Sequence, residues 1–320
     1  MTNTINRRRF CSTVASLAGT AVVGVLNSPA HAVAKEFPPG RFVDVHVHIG
    51  GIRKGATRPL QVEDLLKWMD LNDVAQACVL PLVSPESFPN PVSTEYVLEH
   101  TQPHRDRLIP FCSIDPRNTW YSSGQALIGQ LERYKEKGAR GFGEHKPGVE
   151  ITDKRNLAIF AGCQSTELPV LIHLDSRRNV DVPGLPGLQS VLKMFPQAVF
   201  IGHATGFWNS ISGGPNVSLS GYQKGKVKPG GALDRLMDEF PNLYGDLSAF
   251  SAYNAISRDP DFGREFLIRR ADRMLFGTDF LTPDQKIPQL DFYRRLDLPA
   301  DVRQKIFRDN IRRILKLTAE

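Results

Sequence analysis

Phe42-Val43-Asp44-Val45-His46-Val47-His48-Ile49 is the stretch from which the fold is read. It is short, rich in β-branched residues and apolar over most of its length, the pattern of a strand buried on both faces. Seven further runs share that character: Val74–Val83, Leu108–Ile114, Ala139–His145, Pro169–Leu174, Ala198–His203, Leu243–Ser248 and Met274–Phe280. Their starts recur at roughly thirty residues, the pitch of a βα repeat when about 250 residues make eight units. The interval between the sixth and seventh runs is longer.

Segments of helical period lie between them. Val62–Asp73 carries Val62, Leu65, Leu66 and Met69 on one side, and Gln125–Lys137 carries Leu127, Leu131 and Tyr134. Val302–Leu317 sets Val302, Ile306, Phe307, Ile311, Ile314 and Leu315 against Arg303, Arg308, Arg312 and Lys316, with Pro299 at its start. Alternation of strand and helix predicts a parallel sheet with helices outside, and eight repeats allow closure into a (β/α)8 TIM barrel of class α/β. An open doubly wound sheet is the structural alternative. The Gly- and Ser-rich stretch Gly206–Gly231 reads as a lid, because loops after barrel strands lie on the catalytic face.

The barrel domain is expected over residues 35–320, as one unit. Residues 1–34 read differently: Arg7-Arg8-Arg9-Phe10, an uncharged apolar run from Val14 to Leu26, then Ser28-Pro29-Ala30-His31-Ala32. This is the layout of a cleavable signal and resembles a twin-arginine export signal, with Cys11 where that pattern usually has Leu. The expected location is the bacterial periplasm. The run is too short and too rich in small residues to span a membrane stably.

The chain has 320 residues, 41% hydrophobic and 23% charged, with net charge +6. Without the three arginines of the signal the charge is +3, too mild to argue for nucleic acid. Cys78, Cys112 and Cys163 are widely spaced; Cys78 and Cys112 read as small core residues, and a disulfide between them has no support. The expected partner is a small molecule, and the oligomeric state stays open, a homo-oligomer included.

The strand ends carry the chemistry. In a strand, residues two apart share a face, so Asp44, His46 and His48 point one way and Val43, Val45 and Val47 the other, toward the helices. Two imidazoles so placed can chelate one divalent ion. The fifth run ends in His173, the sixth in His203 and the eighth in Asp279. In a barrel these ends converge on one mouth, where buried polar groups are costly unless paired or metal-bound.

His-x-His on the first strand, His on the fifth and sixth and Asp on the eighth resemble the amidohydrolase superfamily. The resemblance spans residues 42–317 and is nearest the branch that contains the aminocarboxymuconate semialdehyde decarboxylase-like enzymes. Phe276-Gly277-Thr278-Asp279 and Asp309-Asn310-Ile311-Arg312-Arg313-Ile314-Leu315 are similar to that branch's eighth strand and last helix. The resemblance implies His46, His48, His173 and Asp279 as metal ligands. It implies His203 as a catalytic acid/base or, in two-metal relatives, a second-metal ligand.

Gly143-Glu144-His145-Lys146 occupies the fourth strand, where two-metal relatives place a bridging group. Glu144 is a candidate bridge, or else pairs with Lys146, Arg140 or the first-strand histidines. One ion is expected, because this segment does not cleanly supply the bridge. Zn is the default ion, with Mn, Fe or Co also suited to the donors. Asp44 reads as a supporting group, and Asp115 and Asp246 as partners of a ligand or caps of turns. Trp208, Tyr222 and Lys224 of the long loop, with Tyr253 and Asn254, are candidate pocket residues. His100 and His104 are given no role.

The expected reaction is hydrolysis of an amide, lactone or other carboxyl ester by a metal-activated water, with Asp279 and His203 moving protons. The alternatives are a metal-dependent decarboxylase of an unsaturated or aromatic acid, and a non-catalytic exported metal- or ligand-binding barrel.

Overall fold

The computed structural model describes residues 42–51, 56–87, 90–215 and 217–317. The signal reading for residues 1–34 lies outside them. Eight parallel strands follow one another: β1 (Phe42–Val47), β2 (Val74–Val79), β3 (Leu108–Pro110), β4 (Phe142–His145), β5 (Val170–His173), β6 (Phe200–His203), β7 (Leu243–Asp246) and β8 (Met274–Leu275). The helices between and after them are α1 (Val62–Leu71), α2 (Thr94–Thr101), α3 (Gly124–Glu136), α4 (Lys154–Ser165), α5 (Pro186–Met194), α6 (Ala204–Asn209), α7 (Ala232–Glu239), α8 (Ala249–Ser257), α9 (Pro260–Arg269), α10 (Pro288–Arg295), α11 (Ala300–Gln304) and α12 (Asn310–Ile314). A π-helical turn, Lys305–Asp309, joins α11 to α12, so the terminal amphipathic segment is one helix with a bulge.

The strands form two ladders, β1-β2-β3 and β4 through β8. Main-chain bonds join them. Cys112 N–H donates to Gly141 O at 2.9 Å and Gly143 N–H to Cys112 O at 2.8 Å. On the other side Val45 N–H donates to Phe276 O at 2.9 Å, and Asp279 N–H to His46 O at 2.8 Å. The ring therefore closes as a (β/α)8 barrel, and the open-sheet alternative is set aside.

The strands are shorter than the apolar runs because each chain leaves the ladder as it reaches the mouth. Helix starts follow local chemistry: Ser93, Ser123 and Asp153 accept from Tyr96, Ala126 and Arg155 N–H. Prolines open α5, α9 and α10.

Two apolar clusters form the core. The larger lies between strands and helices and includes Phe42, Val47, Val79, Ile172 and Phe200. The smaller draws Val43 and Val45 together with Cys78, Leu80, Ile109, Phe111, Leu171, Ile201 and Leu275, plus Ile311 and Leu315 of the last helix. Leu171 and Ile201 share strand parity with His173 and His203, so this cluster fills the barrel beneath the mouth. The expected helix-facing position of Val43 and Val45 is corrected accordingly; of the three valines, Val47 packs in the helix layer. The physical reason is a slip in β1 pairing between Asp44 and Val47. Asp44 Oδ1 accepts from His46 N–H at 3.0 Å, a local turn that interrupts regular alternation.

Cys78, Cys112 and Cys163 are buried free thiols, so no disulfide joins Cys78 to Cys112. Among the described residues no helix is long and apolar enough to cross a membrane.

Candidate metal centre

The ends of β1, β4, β5, β6, β7 and β8 bring four histidines and three carboxylates to one place. His46 Nδ1 donates to Asp246 Oδ2 at 2.7 Å, and His48 Nδ1 donates to Leu80 O at 2.8 Å. A carbonyl oxygen only accepts, and Asp246 does the same as a carboxylate, so both rings carry their hydrogen on Nδ1. Their Nε2 atoms then face each other across 3.0 Å. Asp279 Oδ1 lies 3.7 Å from the first and 3.4 Å from the second.

Glu144 stands at the centre of the group. Its Oε1 is 2.5 Å from His173 Nδ1 and 3.7 Å from His203 Nε2. Its Oε2 is 3.1 Å from Lys146 Nζ, 3.6 Å from His48 Nε2 and 3.8 Å from His46 Nε2. The pairing expected of Glu144 with Lys146 is present, and so is the central position a bridge requires. Glu144 stands where a bridge would, with His173 and Lys146 on its two oxygens. His145 faces the opposite way, with Nε2 bonded to Asn156 Oδ1 at 2.8 Å and its ring against Phe142 and Phe160.

Supporting contacts fix the rings. Asp246 Oδ2 also takes His203 Nδ1 at 3.0 Å, and Ser248 Oγ donates to it at 2.7 Å. Ser248 Oγ lies 3.1 Å from His203 Nδ1 and 3.3 Å from His46 Nδ1. Sequence reading missed Ser248, since nothing in Asp-Leu-Ser distinguishes it from a cap. His173 Nε2 meets Asp175 Oδ2 at 3.0 Å, and Arg178 holds that carboxylate at 2.9 Å. Asp44 accepts from Thr278 N–H and Oγ1 at 3.1 and 2.6 Å, which braces the turn that presents Asp279. Gly277 precedes that turn because a Cβ there would meet Asp246 Oδ1 at 2.5 Å. Ala204, Ala249 and Asp279 have φ of 80°, 60° and 57°, strained values for residues with side chains, and all three sit at the mouth.

Charge and burial decide protonation. Burial opposes the imidazolium of His46, but Asp246 outweighs it and raises its pKa to about 9. Burial and the neighbouring His46 charge push His203 down. Burial alone would raise Asp246, Glu144 and Asp279. Histidines pull Asp246 and Asp279 below the ordinary carboxylate range, and Lys146 first, then His173 and His46, do the same to Glu144. Desolvation lifts Asp44 to about 7.

The donor set fits a divalent ion. With both rings protonated on Nδ1 alone, the Nε2 atoms of His46 and His48 oppose lone pairs at 3.0 Å, a contact that a proton or a divalent ion between them relieves. Two nitrogens 2.0–2.1 Å from one tetrahedral ion stand roughly 3.3 Å apart, close to the spacing present. Among the described residues three triads have donor atoms all within 4.8 Å of one another: His46, His48 and Asp279; Glu144, His173 and His203; and His46, His203 and Asp246, the last being the pair of rings on their shared acceptor. His173 thus groups with Glu144 and His203 rather than with the first-strand pair.

The substrate candidates are placed differently from expectation. Trp208 is fully buried and donates from its indole to Asp246 O at 2.9 Å, so it is a packing residue. Tyr222 and Tyr253 join Phe250 and Phe292 in a run of ring contacts at 4.8–5.4 Å. Tyr253 lines a groove with Pro288, Asp291, Phe292, Arg295 and Leu296. Asn254 is part-buried on α8. None of these lines the gap of about 10 Å³ beside His48, room for a single water, whose walls are Ile49, Gly50, Gly51, Leu82, Val92 and Leu281. The long segment begins as helix α6 directly after His203. It is pinned by Asn209 to the carbonyls of Ser218 and Gly221, and by Asp259 to Val227 N–H.

A closed (β/α)8 barrel with a histidine–carboxylate centre at the strand ends defines a class of metal-dependent enzymes. The chain belongs to the amidohydrolase family, whose model matches residues 88–317. No curated protein matches it. Among solved structures it is similar to an uncharacterized TIM-barrel protein of Bordetella bronchiseptica, at TM-score 0.63 and 16% identity over 86% of this chain and 98% of that one. It is similar to a probable 2-pyrone-4,6-dicarboxylic acid hydrolase of Acinetobacter baumannii with citric acid bound, at TM-score 0.55 and 12% identity over 86% and 99%. A dihydroxybenzoic acid decarboxylase of Polaromonas sp., with bound manganese and 2-nitroresorcinol, aligns at TM-score 0.56 and 16% identity over 87% and 97%.

Proposed function

We propose that this enzyme hydrolyses a small carboxyl ester, lactone or amide with one divalent ion held by His46, His48 and Asp279. The observation that carries the reading is the pair of opposed Nε2 atoms beside the Asp279 carboxylate. Zn suits the nitrogen-rich set, and Mn, Fe or Co suit it also. When bound, the ion lowers the pKa of a water from 15.7 toward ~7 and polarises a carbonyl.

The chain's own groups do the rest. Asp279, the most exposed of the central carboxylates, accepts the proton that the attacking water loses. His203 is neutral in its buried setting and presents Nε2 as an acceptor. Asp246 on Nδ1 supports the imidazolium that forms when Asp279 passes the proton on. His203 then releases it to the leaving oxygen or nitrogen.

The test is a panel of lactones, esters, amides and aromatic or unsaturated acids, run with native, chelated and Zn-reconstituted enzyme. Metal-restored hydrolysis is expected. Carbon dioxide release without hydrolysis would assign the lyase, and hydrolysis indifferent to exhaustive chelation would remove the metal.

Export by the twin-arginine route is proposed from Arg7, Arg8 and the apolar run that follows them. Replacing both arginines with Lys should hold the precursor in the cytoplasm; unchanged periplasmic recovery overturns the proposal.

A further inference from the structure

We infer that the Lys146 ammonium, by holding the Glu144 oxygen that a bridge would need and by its charge, keeps a site with enough donors for two ions at one. This rests on the metal reading above and goes beyond it, since no donor list by itself fixes how many ions bind.

Geometry supplies the first part of the argument. The triad of Glu144, His173 and His203 is a ready second subsite, and Glu144 also reaches toward the triad of His46, His48 and Asp279. A bridging carboxylate offers one oxygen to each ion. Here both oxygens are engaged: Oε1 by His173 Nδ1 at 2.5 Å and Oε2 by Lys146 Nζ at 3.1 Å. Lys146 sits on the oxygen that faces His46 and His48. It is largely shielded, with its side chain 16% exposed, so its charge is weakly screened. The chain beside it is fixed, because Asn179 bonds to His145 O at 2.6 Å and to Pro147 O at 3.0 Å.

Charge balance supplies the second part. The centre holds three carboxylates, Glu144, Asp246 and Asp279. Asp44 turns both oxygens to Thr278, and Asp175 has its own cation in Arg178. One divalent ion with Lys146 neutralises three negative charges. A second ion would leave the buried centre with two excess positive charges, which a desolvated site resists. Without the ammonium, the second ion takes the centre only from one negative to one positive charge.

The experiment counts ions. Chelator-stripped full-length enzyme is titrated calorimetrically with Zn²⁺, and ions per chain are measured by elemental analysis after gel filtration. Wild type is expected to hold one. Lys146→Met and Lys146→Gln are expected to hold two, the second tightened by at least roughly 100-fold on removal of the nearby charge. Lys146→Arg, which keeps the charge, stays at one, and Lys146→Met with Glu144→Gln returns to one. Two uncharged variants are used so that a folding defect in either, seen by circular dichroism, leaves the other to decide. One ion in both uncharged variants overturns the inference alone, and two ions in wild type overturn it together with the single-ion count of the proposed function. No ion in wild type overturns the metal reading and the inference with it.

Discussion

His46 Nε2 and His48 Nε2 face each other across 3.0 Å, each with its other ring nitrogen committed to an acceptor, Asp246 Oδ2 or Leu80 O. Two lone pairs at that distance repel unless a cation lies between them. The contact therefore places the demand for positive charge at the mouth of β1, next to Asp279, and it depends on the acceptors behind the rings as much as on the rings.

Replacing His46 and His48 together with Ala should abolish ion binding while the barrel stays folded. Asp246→Asn should keep the fold but weaken the ion by roughly 10–100-fold, the usual worth of an acceptor behind a ligand histidine. Elemental analysis and far-ultraviolet circular dichroism check both. A double variant with full metal content removes these residues from the ligand set.

His203→Asn separates proton transfer from ion holding. The imidazole shares Asp246 with His46 through Nδ1, while its Nε2 lies 3.7 Å from Glu144 Oε1, and it is not in the triad of His46, His48 and Asp279. With one ion beside His46, His48 and Asp279, the variant should keep that ion and lose roughly 10²–10⁴ in kcat, as expected for a general acid/base. Ion loss in parallel with activity would place His203 among the ligands instead.

The barrel was legible because parallel strands buried on both faces read as unbroken apolar runs, and because His173, His203 and Asp279 each stand where such a run stops. The faces within β1 were not, since the Asp44 turn slips its register and sends Val43 and Val45 inward alongside the histidines. Nor were the partners. Glu144 is central because β1, β5 and β6 close around it, and Ser248 matters because β7 ends beneath two rings; both are relations between distant segments. Trp208 reads from sequence as an aromatic in a long loop, yet it lies buried on α6, its indole bonded to Asp246 O of β7.

Acid stability should depend on the loop after β3. Arg117 forks onto Glu86 at 2.6 and 2.7 Å and onto Asp115 at 2.9 and 2.6 Å, tying the loops that follow β2 and β3. Burial pushes the Asp115 carboxyl up, but Arg117 and Ser84 outweigh it and hold its pKa at about 2, against an ordinary 3.8. Because the folded value is the lower one, this carboxylate stabilises the fold above pH 3.8 and loses that contribution as pH falls toward 2. With the side chain 17% exposed, screening trims the effect to about 1–2 kcal/mol. Asp115→Asn should therefore lower stability by that amount at pH 7 and leave it nearly unchanged near pH 2, read from urea unfolding at both. An equal loss at the two pH values would assign the residue's contribution to packing and turn geometry rather than to charge.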